Sequence, residues 1–152
     1  MRPGGPDAAE ERWAAGNLIA GEAALWATMC GADRRHAVGV ARRTVAALGA
    51  DATRTVLAAA LLHDVGKVPA GLGPFGRVLA TVVGAAVGHR RARHWRGPIG
   101  RYLAHPELGA ELLADAGSDE LTVAWAREHH RPPSGWTVPR GVADALKAAD
   151  DD

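Results

Sequence analysis

The stretch "LLHDVGK", residues 61–67, sets His63, Asp64 and Lys67 at the end of an otherwise aliphatic run. Chemically similar residues recur along the chain at His36, at His105, at the pair His129 and His130, and in an acidic end beginning at Asp150. Five of the seven histidines belong to this set. Neutral imidazole and ionised carboxylate are the ligands that a divalent metal such as iron, manganese, zinc or nickel takes. A histidine and an aspartate buried together after "ALL" need partners to offset their desolvation, and a metal with further His and Asp ligands supplies them. Each histidine taken singly has an ordinary alternative as a hydrogen-bonded core or surface group. The ensemble is what points to metal.

These residues need helices to carry them. Alanine and leucine dominate and β-branched residues never alternate, so local preference is helical nearly throughout. A first helix is expected within residues 7–29, with Trp13, Leu18, Leu25 and Met29 on its apolar side. A second follows from an Asp33 N-cap to Gly49, with His36 in its first turn. A third runs from an Asp51 cap to Gly66, placing the His63–Asp64 pair at its C-terminal end. A fourth covers residues 74–87 and gives way to a basic loop over 88–98. Pro106 at a first helical position leaves His105 just outside the next helix, which Gly117 closes. Ser118 caps the following one, and Pro132 and Pro133 prevent its continuing past Arg131. The last starts after Pro139. Every candidate ligand therefore lies at or near a helix end, where separate helices can aim side chains at one point. The fold class is all-α, a compact multi-helix bundle with a central metal site.

At these positions the sequence resembles a known family. The pattern "H…HD…D", here His36, His63 with Asp64, and Asp150, is similar to that of the HD-domain metal-dependent phosphohydrolases, an all-helical superfamily. The likeness covers roughly residues 30–152. "HDVGK", "HPELGAELL" and "REHH" resemble the HD-GYP branch and related small HD proteins, in which extra histidines complete a two-metal centre. The resemblance implies a single HD domain over residues 1–152, with 1–32 an N-terminal extension and first helix and 33–152 the HD core. It implies that His36, His63, Asp64 and Asp150 hold one metal, and that Asp64 bridges to a second held by His105, His129 and His130. The cofactors would be two divalent ions from among Fe, Mn, Ni, Zn and Mg. Paired cations about 3.5–4 Å apart activate a water and stabilise attacking and leaving oxygens at phosphorus. The implied activity is hydrolysis of a phosphate ester, as a phosphatase or phosphodiesterase, on a nucleotide or other small phosphorylated molecule. Asp64, Lys67 and His130 are the expected catalytic residues. Lys67 would bring a point charge to a phosphate oxygen, or be an exposed lysine near a helix C-terminus.

The sequence also departs from the family pattern. Where the HD-GYP branch carries glycine-tyrosine-proline, this chain reads "RPPSGWTVP", which removes the basis for expecting cyclic di-GMP cleavage. Ala32 stands where some members add a glutamate, so no third metal is implied. "LKAADDD" offers Asp150, Asp151 and Asp152 as the last ligand, of which Asp150 fits the family's "AAD" pattern. Arg131 and Trp136, after the double histidine, are candidate substrate-binding residues, and Trp136 is equally a candidate for core packing. The segment "HRRARHWR", residues 89–96, could hold phosphates or stack a base, or be a solvated loop. Two other activities remain compatible with the same residues: ligand sensing without turnover, and oxidation by a di-iron HD-type site.

Composition narrows the remaining classes. The chain has 152 residues, 47% apolar and 23% charged, ordinary for a globular domain. Its formal net charge of +1 gives no strong nucleic-acid or membrane signal. The longest apolar run, residues 78–88, has 11 residues, against the ~20 that a membrane span requires. A start without a secretory pattern and a single cysteine, Cys30, expected as a small buried hydrophobe, lead to the expectation of a cytoplasmic protein. P-loop, dinucleotide-binding and nucleophile-elbow patterns are absent, so kinase, dehydrogenase and serine-hydrolase readings have no support.

Overall fold

Residues 56–62 are buried on every side, and the helix that carries them lies at the middle of the molecule. The computed structural model describes residues 4–70 and 104–152. The helix expected over 74–87, the loop over 88–98 and the basic segment 89–96 lie outside the described residues. Among the described residues there are seven α-helices and no strand: α1 (Ala8–Gly16), α2 (Ala20–Thr28), α3 (Gly31–Leu48), α4 (Arg54–Leu62), α5 (His105–Asp115), α6 (Glu120–Glu128) and α7 (Arg140–Asp151). The described residues also form three short 3-10 turns, over Gly49–Asp51, Val65–Ala70 and Pro133–Gly135. None of these helices is long and apolar enough to cross a membrane.

The helix α4, "RTVLAAALL", is apolar all round, and a helix of that kind is stable in water only as the centre of a core. It packs between α3 and α6, with α2 also touching it; α7 lies on α3, and α5 lies on α6. Leu61, Leu62, Leu113, Leu146 and Trp125 are the large side chains sealed inside. Each buried leucine contributes about 1.5–3 kcal/mol of apolar transfer free energy. The bundle is therefore built around the helix whose end carries the His63–Asp64 pair.

Several helix boundaries differ from those expected from the sequence. The first helix is two helices. Asn17 ends α1, its side-chain amide donating to the Trp13 carbonyl at 2.8 Å, and Glu22 opens α2 by accepting the Ile19 N–H at 3.0 Å. Helix α3 starts at Gly31 with Cys30 at the N-cap, so Asp33 falls inside the first turn and Cys30 is exposed rather than buried. Thr53, not Asp51, caps α4, because Asp51 is taken up by the preceding 3-10 turn. Asp119, not Ser118, caps α6. Ser118 closes α5 instead: its N–H reaches the Leu113 carbonyl at 3.0 Å and that of Gly117 reaches Ala114 at 3.1 Å, with Gly117 at φ +81°. That double bond around a left-handed glycine is the Schellman arrangement, and it commits the Ser118 backbone to the helix behind it. Helix α5 takes in His105 as its first residue, one position earlier than Pro106 alone suggests.

One close approach sets the bundle's geometry near the "HDVGK" stretch. A Cβ on Gly66 would stand 1.9 Å from the His105 carbonyl oxygen and 2.6 Å from the Gly109 nitrogen. Only glycine lets the turn after Asp64 lie directly on the start of α5.

Candidate metal centre

His63 and His129 each occupy the C-cap of a helix, α4 and α6 respectively. The Nδ1 of His63 lies 2.9 Å from the Ala60 carbonyl, and that of His129 lies 2.9 Å from Ala126 and 3.2 Å from Trp125. A carbonyl oxygen can only accept, so Nδ1 carries the proton in both rings. Carbonyls in the last turn of each helix thus fix the tautomer and turn Nε2 away from the helix as a lone-pair donor.

Asp64 stands where these rings converge and is 7% exposed. Its Oδ1 lies 3.4 Å from His105 Nε2 and 3.7 Å from His129 Nε2, and its Oδ2 lies 3.5 Å from His63 Nε2. Lys67, one turn on, pairs with the same Oδ2. On one side, Asp150 Oδ1 from α7 reaches His36 Nε2 at 2.9 Å and His63 Nε2 at 3.2 Å. On the other, His130 Nε2 meets His105 Nε2 at 3.2 Å. Two groups result, His36–His63–Asp64 and Asp64–His105–His129–His130, each with one ligand atom per residue within 4.8 Å of the rest, and both share Asp64. Asp150 adjoins the first.

The donor set fits a divalent cation. Asp64 Oδ1 and the Nε2 atoms of His63 and His129 are buried without a hydrogen-bond partner. Their mutual approaches are too long or misdirected to be hydrogen bonds, and acceptor faces acceptor. Leaving such atoms unmet costs about 1–3 kcal/mol each, and a cation among them removes that cost.

The electrostatics follow from the same crowding. Burial penalises the Asp64 carboxylate, but His63, His105, His129 and Lys67 outweigh it and hold its pKa well below the usual carboxylate range. Burial likewise opposes ionised Asp150, and its contact with His36 and the adjoining His63 ring reverse the sign, so its pKa is lowered too. Burial alone would lower His63, yet Asp64 and Asp150 raise it. In His129 burial wins and the pKa falls, and His130 is lowered to about 3, by burial first and then by His129 and His105. His130 is the most open histidine of its group, but its ring tip lies against His105 within the cluster.

The chain matches the HD domain family over residues 34–150, a stretch that opens two residues before His36 and ends on Asp150. The protein belongs to the HD-domain family. HD domains bind divalent metals and are commonly hydrolases. Neither the curated proteins nor the solved structures contain a match to this HD-domain chain.

The seven residues expected from the sequence as ligands come together in one place. Of the three acids at the end of the chain, Asp150 faces the histidines, Asp151 pairs with Lys147 on the surface, and Asp152 lies beyond the last helix. Trp136 is half-buried. Its indole N–H donates to the Glu128 and Arg131 carbonyls at 3.1 and 3.0 Å, and its ring packs edge-on against Trp125 at 5.6 Å. Arg131 is exposed in the same loop.

Two buried acids escaped sequence reasoning. Glu22, fully buried in α2, accepts the Ile19 N–H and lies 3.3 Å from Arg54. Glu128, buried at the end of α6, accepts from Thr137. The available signal was "EHH": an acid in the last turn of a helix, where the dipole disfavours it, needs a specific partner.

Proposed function

We propose that this HD-domain protein is a metal-dependent phosphohydrolase, a phosphatase or phosphodiesterase acting on a nucleotide or another small phosphate ester. The observation that carries the reading is the pair of His/Asp groups meeting at one buried carboxylate, Asp64, whose oxygens face ring nitrogens from both sides. His36, His63, Asp64 and Asp150 would hold one divalent cation, and Asp64, His105, His129 and His130 the other. Likeness of the extra histidines to those of the HD-GYP branch supports two cations rather than one. Bound there, such cations supply an activated water and neutralise charge on the phosphoryl oxygens.

The rest of the work falls to the chain itself. The carbonyls of Ala60 and Ala126 hold the His63 and His129 rings in their donor tautomer. Lys67, tied to Asp64, is placed to share its charge with a phosphate oxygen at the centre. His130 is the catalytic histidine of this proposal: kept neutral by burial and by His129 and His105, its ring would hold the second cation beside the phosphate and takes up no proton itself near neutral pH. Arg131 and Trp136, in the loop beyond, are the proposed substrate contacts.

The test is metal analysis of the purified protein together with a screen of nucleotides, cyclic dinucleotides and generic phosphate esters. Hydrolysis that requires metal, stops with chelator and vanishes in Asp64→Ala is the expected result. A protein that takes up no divalent metal, or activity that survives Asp64→Ala, overturns the reading.

A further inference from the structure

Glu128 is 4% exposed, and each oxygen of its carboxyl group has a partner on a single residue nine positions further on. Oε2 accepts the Thr137 backbone N–H at 2.7 Å, and Oε1 accepts the Thr137 hydroxyl at 2.8 Å. The Glu128 carbonyl accepts in turn from the Arg131 N–H at 2.7 Å and from the Trp136 indole at 3.1 Å. One residue therefore receives four donors from the loop that follows it and draws both ends of that loop together.

This clasp sits immediately before His129 and His130. We propose that Glu128 is a positioning residue for these two histidines, an inference that rests on the reading of the cluster as a metal centre. Two routes lead from the clasp to the rings. Along the chain, Glu128 closes the turn that contains His129 and His130, at a helix end whose carbonyls would otherwise fray into solvent. Through space, it seats Trp136 against Trp125, whose ring centroid lies 6.3 Å from that of His129. Thr137 itself is exposed, so water could satisfy its donors without any buried acid. Burying a carboxyl group to meet them gains nothing for Thr137; what it fixes is the backbone on which the two histidines ride.

Titration of the metal-free protein with Co2+, followed by calorimetry and by the ion's visible absorption, tests the assignment. Wild type is expected to bind in two steps, one of which His105→Ala abolishes. Glu128→Ala should weaken that step by about 10- to 100-fold, the usual effect of losing a residue that orients a ligand, and leave the other step unchanged. Glu128→Gln should restore it, because the amide oxygen can accept the Thr137 N–H while the amide nitrogen donates to its hydroxyl. If Glu128→Ala does not fold, Thr137→Val, which removes one of the two bonds to the carboxyl group, should shift the same step in the same direction. A variant that leaves both steps as in wild type, or weakens both equally, overturns the positioning role while the metal reading stands. A wild-type protein that binds no Co2+ overturns both.

Discussion

His63 and His129 face each other edge to face, ring centroids 5.2 Å apart and planes at 82°, from the C-terminal ends of two packed helices. The same local device, an Nδ1–H bonded to a carbonyl three residues back, orients both. Because α4 and α6 end side by side, two unsatisfied helix ends become two aligned lone pairs, and Asp64 lies between them. Helix termination thus supplies the centre of the site, to which α3, α5 and α7 add His36, His105 and Asp150.

Asp64 is the one carboxylate common to both His/Asp groups. Asp64→Asn, which keeps the shape and removes the charge, should therefore abolish binding at both, whereas His36→Ala and His105→Ala should each remove a single ion. Metal content by elemental analysis of the three variants, beside wild type, distinguishes the shared ligand from the unshared ones. Loss of one ion only in Asp64→Asn would show that the groups are independent.

Gly66→Ala should cost at least the ~1–3 kcal/mol typical of overpacking, since the new methyl would collide with backbone at His105 and Gly109 rather than with a movable side chain. The same change at Gly49, where φ is +56° and nothing stands within 4 Å of the new Cβ, should cost about 1–2 kcal/mol for the left-handed backbone alone. Urea midpoints of the two variants give the comparison. A Gly66→Ala protein as stable as wild type would mean that α5 can move away from the His63–Asp64 turn.

The metal-free protein should be most stable near the ordinary histidine pKa. His63 is raised, so its contribution is complete below 6.5 and fades as pH climbs through its folded value. His129 and His130 are lowered, so below 6.5 the unfolded chain takes up protons that the folded one refuses, and stability falls. Asp64 and Asp150 are lowered from 3.8, so their contribution is full above that value and is lost as pH falls below it through their lower folded values. Thermal midpoints of chelator-treated protein from pH 2 to 9 check the sequence of slopes. His130→Asn should flatten the decline below 6.5, and a decline unchanged in that variant would remove His130 from the account.

How far the sequence carries can be judged residue by residue. That His36, His63, Asp64, His105, His129, His130 and Asp150 gather in one place was legible because their order and spacing follow the HD pattern and each lies at or near a helix end. The all-helical class was legible from composition, the dominance of alanine and leucine. Helix starts were less so: Asp33, Asp51 and Ser118 are all good N-cap residues, yet Cys30, Thr53 and Asp119 take those places. The decision lay in backbone commitments made elsewhere, such as the Schellman closure that occupies Ser118, and these depend on tertiary packing. Glu128 was hidden for a related reason, since the donors that justify its burial lie nine residues away in a loop.

Leu61 is completely buried in α4, two residues before His63, so Leu61→Ala should destabilise the fold by about 2–5 kcal/mol through lost transfer energy and the cavity left behind. Val45, exposed on α3, should tolerate Val45→Ala within about 0.5 kcal/mol. The contrast matters for the candidate metal centre as well as for the core. A cavity under the last turn of α4 would loosen the Ala60 carbonyl that holds His63 Nδ1, so Leu61→Ala should also weaken cation binding under conditions where the protein remains fully folded. Calorimetric titration with Mn2+ well below the melting temperature would show whether core packing and ligand orientation are coupled. Wild-type affinity in Leu61→Ala would mean that the helix end keeps its geometry without the side chain beneath it.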